Sequence, residues 1–117
     1  MAQTLGEFEQ LILLALVRLG EDAYGVSMRK EIEERTGRAI SAGAIYTALE
    51  RLESRGFVAS RLGDPTPQRR GRPKKFYRLE PAGADALTRS YTAFTEMTKG
   101  IRPKLADLAS QTDAPGK

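Results

Sequence analysis

The residues of this chain best suited to chemistry are its cations, and they are concentrated. Residues 55–78 hold eight Lys or Arg and a single acid, Asp64, for a net of +7. The 117-residue chain as a whole is +4, so the remainder sums to −3. A weakly acidic body therefore carries one strongly basic segment. Arg69, Arg70 and Arg72 stand in the stretch GDPTPQRRGRP, and Lys74 and Lys75 directly follow it. Such a cluster suits a polyanion, because each contact to a nucleic-acid phosphate releases counterions. Phosphate contacts set position rather than sequence. Immediately upstream, Ser41, Ala42 and Gly43 open a predicted helix with small residues. A helix start built this way can approach a surface closely, and its free N–H groups favour phosphate.

Catalytic chemistry is poorly supplied. The chain has no Cys and no His. That removes Cys–His and Ser–His nucleophile pairs, disulfides and the ordinary ligands of zinc or copper. Glu31, Glu33 and Glu34 lie together but read as the solvated face of a helix. No enzyme activity, metal site or cofactor is expected. A pI near 9.6 agrees with a nucleic-acid partner. No apolar run is long enough to cross a bilayer, and residues 1–5 lack a basic leader. A cytoplasmic protein without a membrane partner is expected.

The elements that must position these cations follow from periodicity. Residues 41–55 form a helix capped by the Ser41 hydroxyl. Ile45, Leu49 and Leu52 fall at i, i+4 and i+7 with Ala48 beside them, giving one apolar stripe. The opposite face carries Gly43, Thr47, Glu50 and Ser54, flanked by Tyr46 and Arg51. There Tyr46 would donate to a phosphate while Ala42, Gly43 and Thr47 face base edges. Arg51 has two readings, a contact to DNA or an ion pair with a nearby acid. Gly56 suits the position just past the helix end. Residues 57–62 and 75–79 then alternate as two strands of a hairpin, and the Gly/Pro/Arg stretch between them cannot be helical. A helix followed by a basic hairpin is the layout of a winged helix-turn-helix. The recognition helix (41–55) would enter the major groove, and the wing (60–76) would lie along the backbone or in the neighbouring minor groove.

Upstream, Thr4 and Glu7 match a capping box before a strongly apolar helix. Phe8, Leu11, Ile12, Ala15, Leu16 and Leu19 line one face, and Leu13, Leu14 and Val17 widen it, so burial on the domain and on a partner chain is expected. Residues 23–36 form the next helix, with Val26, the Arg29 stem and Ile32 toward the core, Ile40 beyond its end, and Met28 a further candidate. Gly25 permits close approach of another backbone, and Gly37 stops the helix. Downstream, Pro81 suits a first helical position. Leu87, Tyr91, Phe94, Thr98, Ile101, Leu105 and Leu108 recur at alternating spacings of four and three, a heptad seam. Gly100 and Pro103 predict a kink or break at residues 99–103. The expected fold is mostly α with a small β-hairpin. The winged helix-turn-helix occupies 1–80, a C-terminal dimerisation helix 81–109 and a disordered tail 110–117. Phe8, Leu11, Leu87, Tyr91, Phe94, Ile101 and Leu105 are the expected dimer contacts, and a two-fold dimer predicts a palindromic operator. Tyr91, Phe94 and Met97 read first as core and second as an effector pocket.

These residues resemble the PadR family of bacterial and archaeal transcriptional regulators. The matching pieces are GEFEQLILLALVRLG, the Tyr24-Gly25 pair in AYGVSMRKEIEERTG, GAIYTALERLESRGFV and GRPKKFYRLEPAG, in the family's order and spacing. The short C-terminal region is similar to the family's smaller subgroup, which implies a homodimer built from the C-terminal and first helices. The resemblance implies a DNA-backbone role for Tyr46, a DNA-binding role for Tyr24, and wing contacts from Arg72, Lys74 and Lys75. Two departures stand out: Thr47 where many relatives have Pro, and Glu80 where many have Thr. The absence of Trp excludes the paired-Trp drug site of some relatives. The expected function is a homodimeric repressor bound to double-stranded DNA, with release by a small-molecule effector as a further possibility. A protein–protein interaction module on a winged scaffold is the alternative.

Overall fold

The computed structural model describes residues 4–63 and 73–111. Helix α1 spans Glu7–Leu19, α2 Gly25–Thr36 and α3 Ala42–Ser54. Strands β1 (Val58–Leu62) and β2 (Lys75–Leu79) pair antiparallel, from Val58 opposite Leu79 to Leu62 opposite Lys75. Helices α4 (Pro81–Thr98) and α5 (Arg102–Ser110) complete the elements of the described residues. The fold is mostly helical with one two-stranded hairpin, a winged helix-turn-helix.

The core forms where the apolar stripes of three helices converge. Ile12, Leu13, Ala15 and Leu16 come from α1, Met28 and Ile32 from α2, and Ile45, Ala48, Leu49 and Leu52 from α3. Phe57, Val58 and Tyr77 close it from the hairpin, and Ala86 and Leu87 from α4. Ser41 caps α3 as its type predicts, with its hydroxyl accepting from the Ala44 N–H at 3.1 Å. Gly56 takes a left-handed φ of 78° just past the helix.

Several expectations are corrected. Helix α1 is capped at Gly6, whose N–H donates to Glu9 Oε1 at 2.9 Å. Leu5 is buried and Gly6 is still extended, so the box is shifted by two residues. In α2 the buried stripe runs through Met28 and Ile32, whereas Val26 is exposed. Val26 lies two residues before Met28, about 200° round the helix and so on the opposite side. Arg29 is exposed too, and its side chain pairs with Glu33 at 3.3 Å instead of covering the core. Helix α2 also starts two residues later than expected, because Ala23 is buried in extended backbone whose carbonyl accepts the Tyr77 N–H of β2 at 2.8 Å. Ser110 closes α5 rather than opening a tail, and the rest of the expected tail from residue 112 lies outside the described residues.

An ion pair that periodicity did not announce ties α1 to the end of α3. The Arg55 guanidinium lies 3.2 Å from Glu9 Oε1, with side-chain exposures of 20% and 11%. The same guanidinium donates to the Thr4 carbonyl at 2.9 Å and covers the Phe57 ring at 4.6 Å. The expected break separates α4 from α5: Lys99 is extended and Gly100 takes a φ of 70°. Beyond Leu87 this arm leaves the body. Tyr91, Phe94, Met97, Leu105 and Leu108 are 58–79% exposed. The radius of gyration is 17.9 Å, against about 13 Å for a compact chain of this length.

Candidate nucleic-acid interface

Helix α3 buries one side completely and leaves the other bare. At about 100° per residue, the buried Ile45, Ala48, Leu49 and Leu52 share one side. Ala42, Gly43, Tyr46, Thr47, Glu50 and Arg51 span the other, all exposed. The first turn of that bare side holds only Ser, Ala and Gly. Nothing larger than the Ser41 hydroxymethyl stands between its backbone and an approaching surface.

The turn before α3 is fixed by one glycine and two hydrogen bonds. Gly37 takes a φ of 74°. Thr36 Oγ1 accepts the Arg38 N–H at 3.2 Å. Glu33 Oε2 accepts the Ile40 N–H at 2.9 Å. That backbone donor, helped by Arg29, holds the Glu33 carboxyl below its ordinary value. Glu33 is therefore a structural residue of the turn, not part of a purely solvated face, and its neighbour Glu31 pairs with Arg35.

The wing base is an aromatic and cationic stack. The Tyr24 ring meets Phe76 at 5.5 Å between centroids, tilted by 58°. Lys74 Nζ lies 4.2 Å over Tyr24, and the Arg61 guanidinium 4.7 Å over Phe76. Backbone pairing of Tyr24 with Phe76 joins α2 to the wing. Tyr24 thus stands between the second helix and the wing, half-buried, where it can orient Lys74. Phe76 and Arg61 are parts of this stack that charge counting alone did not single out.

Between α3 and the wing runs a cleft of about 290 Å³ lined by Tyr46, Thr47, Glu50, Glu53, Lys75 and Tyr77. Tyr46 reaches into it from α3 while its ring packs on Gly25. A Cβ there would lie 2.7 Å from the ring's Cε1. The close approach expected at Gly25 is therefore by a side chain and not by a backbone. Burial, with Glu53 and Glu50 facing it, pushes the Tyr77 hydroxyl's pKa up. Ser60 Oγ donates to Glu53 Oε2 at 2.7 Å, which holds that carboxylate to the wing.

The structure thus brings Tyr24, Tyr46, Thr47, Lys74 and Lys75 around one cleft and the adjoining wing base, next to Ser41, Ala42 and Gly43. Arg51 is exposed on the far side of α3 and makes no ion pair among the described residues. Arg69, Arg70 and Arg72 lie outside the described residues. Of the expected dimer contacts, Phe8 and Leu11 are half-buried against the protomer's own core and Leu87 is buried in it. Tyr91, Phe94 and Leu105 are exposed, and Ile101 is half-buried. The elbow between α4 and α5 encloses about 340 Å³ lined by Phe94, Thr98, Ile101, Arg102 and Leu105. Of the three residues considered for an effector pocket, only Phe94 lines it. Among the described residues no acidic cluster could hold a metal ion, and no helix is long and apolar enough to cross a membrane.

Comparison with known proteins points the same way. The family model of the transcriptional regulator PadR-like family matches residues 13–89. The transcriptional regulator Rv3488 of Mycobacterium tuberculosis is 33% identical over 82 residues, 68% of this chain and 70% of that protein. A PadR family transcription regulator of Clostridium difficile superposes with a TM-score of 0.70 at 27% identity, covering 86% of this chain and 99% of that one. A PadR family regulator of Eggerthella lenta gives 0.65 at 29% identity, covering 85% and 86%. The chain belongs to the PadR-like family of transcriptional regulators, DNA-binding proteins and not enzymes.

Proposed function

We propose that this protein is a homodimeric repressor that occupies a palindromic operator and occludes a promoter in the cytoplasm. The observation that carries this reading is the bare, small-residue start of α3 beside the cationic wing base. An α-helix is about 10–12 Å across with its side chains, close to the width of the B-DNA major groove. In this reading α3 lies in that groove, with Ala42, Gly43 and Thr47 toward base edges and Tyr46 donating to a phosphate. Tyr24 holds Lys74 over the backbone, while Lys75 and the wing residues Arg69, Arg70 and Arg72 neutralise further phosphates. The exposed arm supports the dimer: Tyr91, Phe94, Ile101 and Leu105 meet a second copy, together with Phe8 and Leu11 of α1. Leu87 anchors the arm to its own body. A two-fold axis then sets two α3 helices about one duplex turn apart. A small apolar effector seated at the α4–α5 elbow would alter that spacing.

The test is fluorescence anisotropy on the DNA upstream of the protein's own gene, against scrambled DNA of equal length and on a random-sequence selection. A preference for one sequence of about a thousandfold or more is expected. Equal binding to every sequence would overturn operator recognition. Neutralising Arg70 and Arg72 together is expected to lower the slope of log affinity against log salt by about one to two.

A further inference from the structure

A helix seated in the major groove has a phosphate backbone along each flank, yet of the cations described so far only Arg51, in the last turn of α3, stands away from the wing. Lys75 stands on the wing side, sharing a cleft with Tyr46, Glu50 and Glu53 of α3, and Lys74 precedes it over the Tyr24 ring. At about 100° per residue, Ala44 lies 160° from Tyr46 and 180° from Glu53, on the other edge of the bare side. Ala44 shares a cleft there with Phe8, Arg38, Ala39, Ile40 and Ser41. Arg38 is the cation of that cleft, and the sequence pattern did not mark it as a site residue.

Its placement is set by the turn and not by chance of a long side chain. The Arg38 backbone is held by Thr36 Oγ1 on one side, and the next-but-one N–H is held by Glu33. The guanidinium points to α1, where Nη1 lies 3.2 Å from Glu7 Oε1. Both partners are open to solvent, with side-chain exposures of 46% and 80%. A pair so exposed is weak, and Glu7 has no other partner among the described residues. An incoming DNA phosphate competes for the same guanidinium on better terms, since it can accept from the guanidinium in bidentate fashion, sits in a dense row of like charges and releases counterions.

We infer that Arg38 is a phosphate contact at the start of α3, on the flank away from the wing, and that Glu7 masks it until DNA displaces the carboxylate. The inference rests on the reading that α3 enters a major groove. The geometry has a functional consequence. Lys74 and Lys75 lie over the Tyr24 and Tyr77 rings and pair with no acid among the described residues, so they remain available. Arg38 is instead held by an intramolecular anion, so a phosphate gains it only by exchange. Non-specific contacts, which are almost wholly phosphate-driven, lose part of their affinity to that exchange.

The test is anisotropy on the selected operator across a salt series, with wild type, Arg38→Ala, Glu7→Gln and the double variant. Arg38→Ala is expected to weaken binding to all sequences alike and to lower the salt slope by about 0.9. Glu7→Gln is expected to tighten binding by about 1.5- to fivefold, the worth of a released surface pair, and to have no effect once Arg38 is absent. The opposite signs separate masking from a merely structural pair, in which both variants would weaken binding. An unchanged slope in Arg38→Ala, a weaker Glu7→Gln, or a Glu7→Gln gain that persists without Arg38 would overturn the inference alone. Failure of wild type to select any DNA would overturn the groove reading and this inference with it.

Discussion

Tyr46 and Gly25 form a matched pair. The phenol ring occupies the space that any side chain at residue 25 would need. The ring is the free end of a 48%-exposed side chain, so it can be pushed away at little cost. Gly25→Ala is therefore expected to leave the melting temperature within a few degrees, since alanine also favours the helix. DNA affinity is expected to fall about tenfold, the worth of one charge-assisted hydrogen bond of roughly 1.5 kcal/mol. Tyr46→Phe is expected to fall as far in the same anisotropy assay; unchanged affinity in both would remove the hydroxyl from the interface. Glu33 makes a pH-dependent contribution. Its folded-state value is lowered from 4.5, first by the Ile40 N–H. A lowered carboxylate stabilises the fold above its ordinary value and loses that effect as the pH falls through the lowered one. The melting-temperature gap between wild type and Glu33→Gln is expected to be constant above about pH 6 and to close below about pH 4. Sequence pattern reached some of these residues and not others. Ser41 was legible because its cap is local, and the wing cations because charge adds up without geometry. Glu33 was not, because a glutamate on a polar helix face looks the same whether or not a backbone N–H seven residues on turns back to meet it.

At the scale of elements, α3 is held at both ends by different devices. Ser41 satisfies its start. Arg55 at its end is shared by Glu9, Thr4 and the Phe57 ring. The first was readable from one residue type. The second joins positions 46 apart, and a glutamate in the first turn of α1 already has a local explanation as a capping residue. Helix phase in α2 was misread for a related reason. With few apolar residues, Val26 and Met28 imply opposite faces, and only the strand contact at Ala23 decides between them. The junction of α4 with the body offers a sharper test. A Cβ on Gly83 would collide with the Phe57 carbonyl oxygen and lie 2.9 Å from Leu79 Cδ1. That carbonyl already accepts the Glu80 N–H at 2.9 Å, so the backbone cannot give way easily. Gly83→Ala is expected to cost about 2 kcal/mol in urea unfolding, in the range of core overpacking. A neutral result would mean that α4 docks elsewhere.

The whole molecule is a compact winged body with an uncovered arm. Gly100 and Pro103 announced the break between α4 and α5, because that effect is written in a few residues of one segment, and the heptad positions beyond Leu87 stand largely uncovered. Which surface covers the seam is not a property of one chain's periodicity. Under the dimer reading, Phe94→Glu is expected to convert the protein to a monomer in sedimentation equilibrium while the winged body keeps its helical circular dichroism. A dimer that survives the charge would place the interface elsewhere. Wild-type melting temperature should rise with protein concentration and that of Phe94→Glu should not. The bare arm also bears on how a cell would experience this regulator. If two copies must meet before either can hold its operator, occupancy follows the square of subunit concentration when protein is scarce. A halving of synthesis would then relieve the promoter about fourfold in place of twofold. The arm would make a simple on–off site respond as a threshold, with no ligand required.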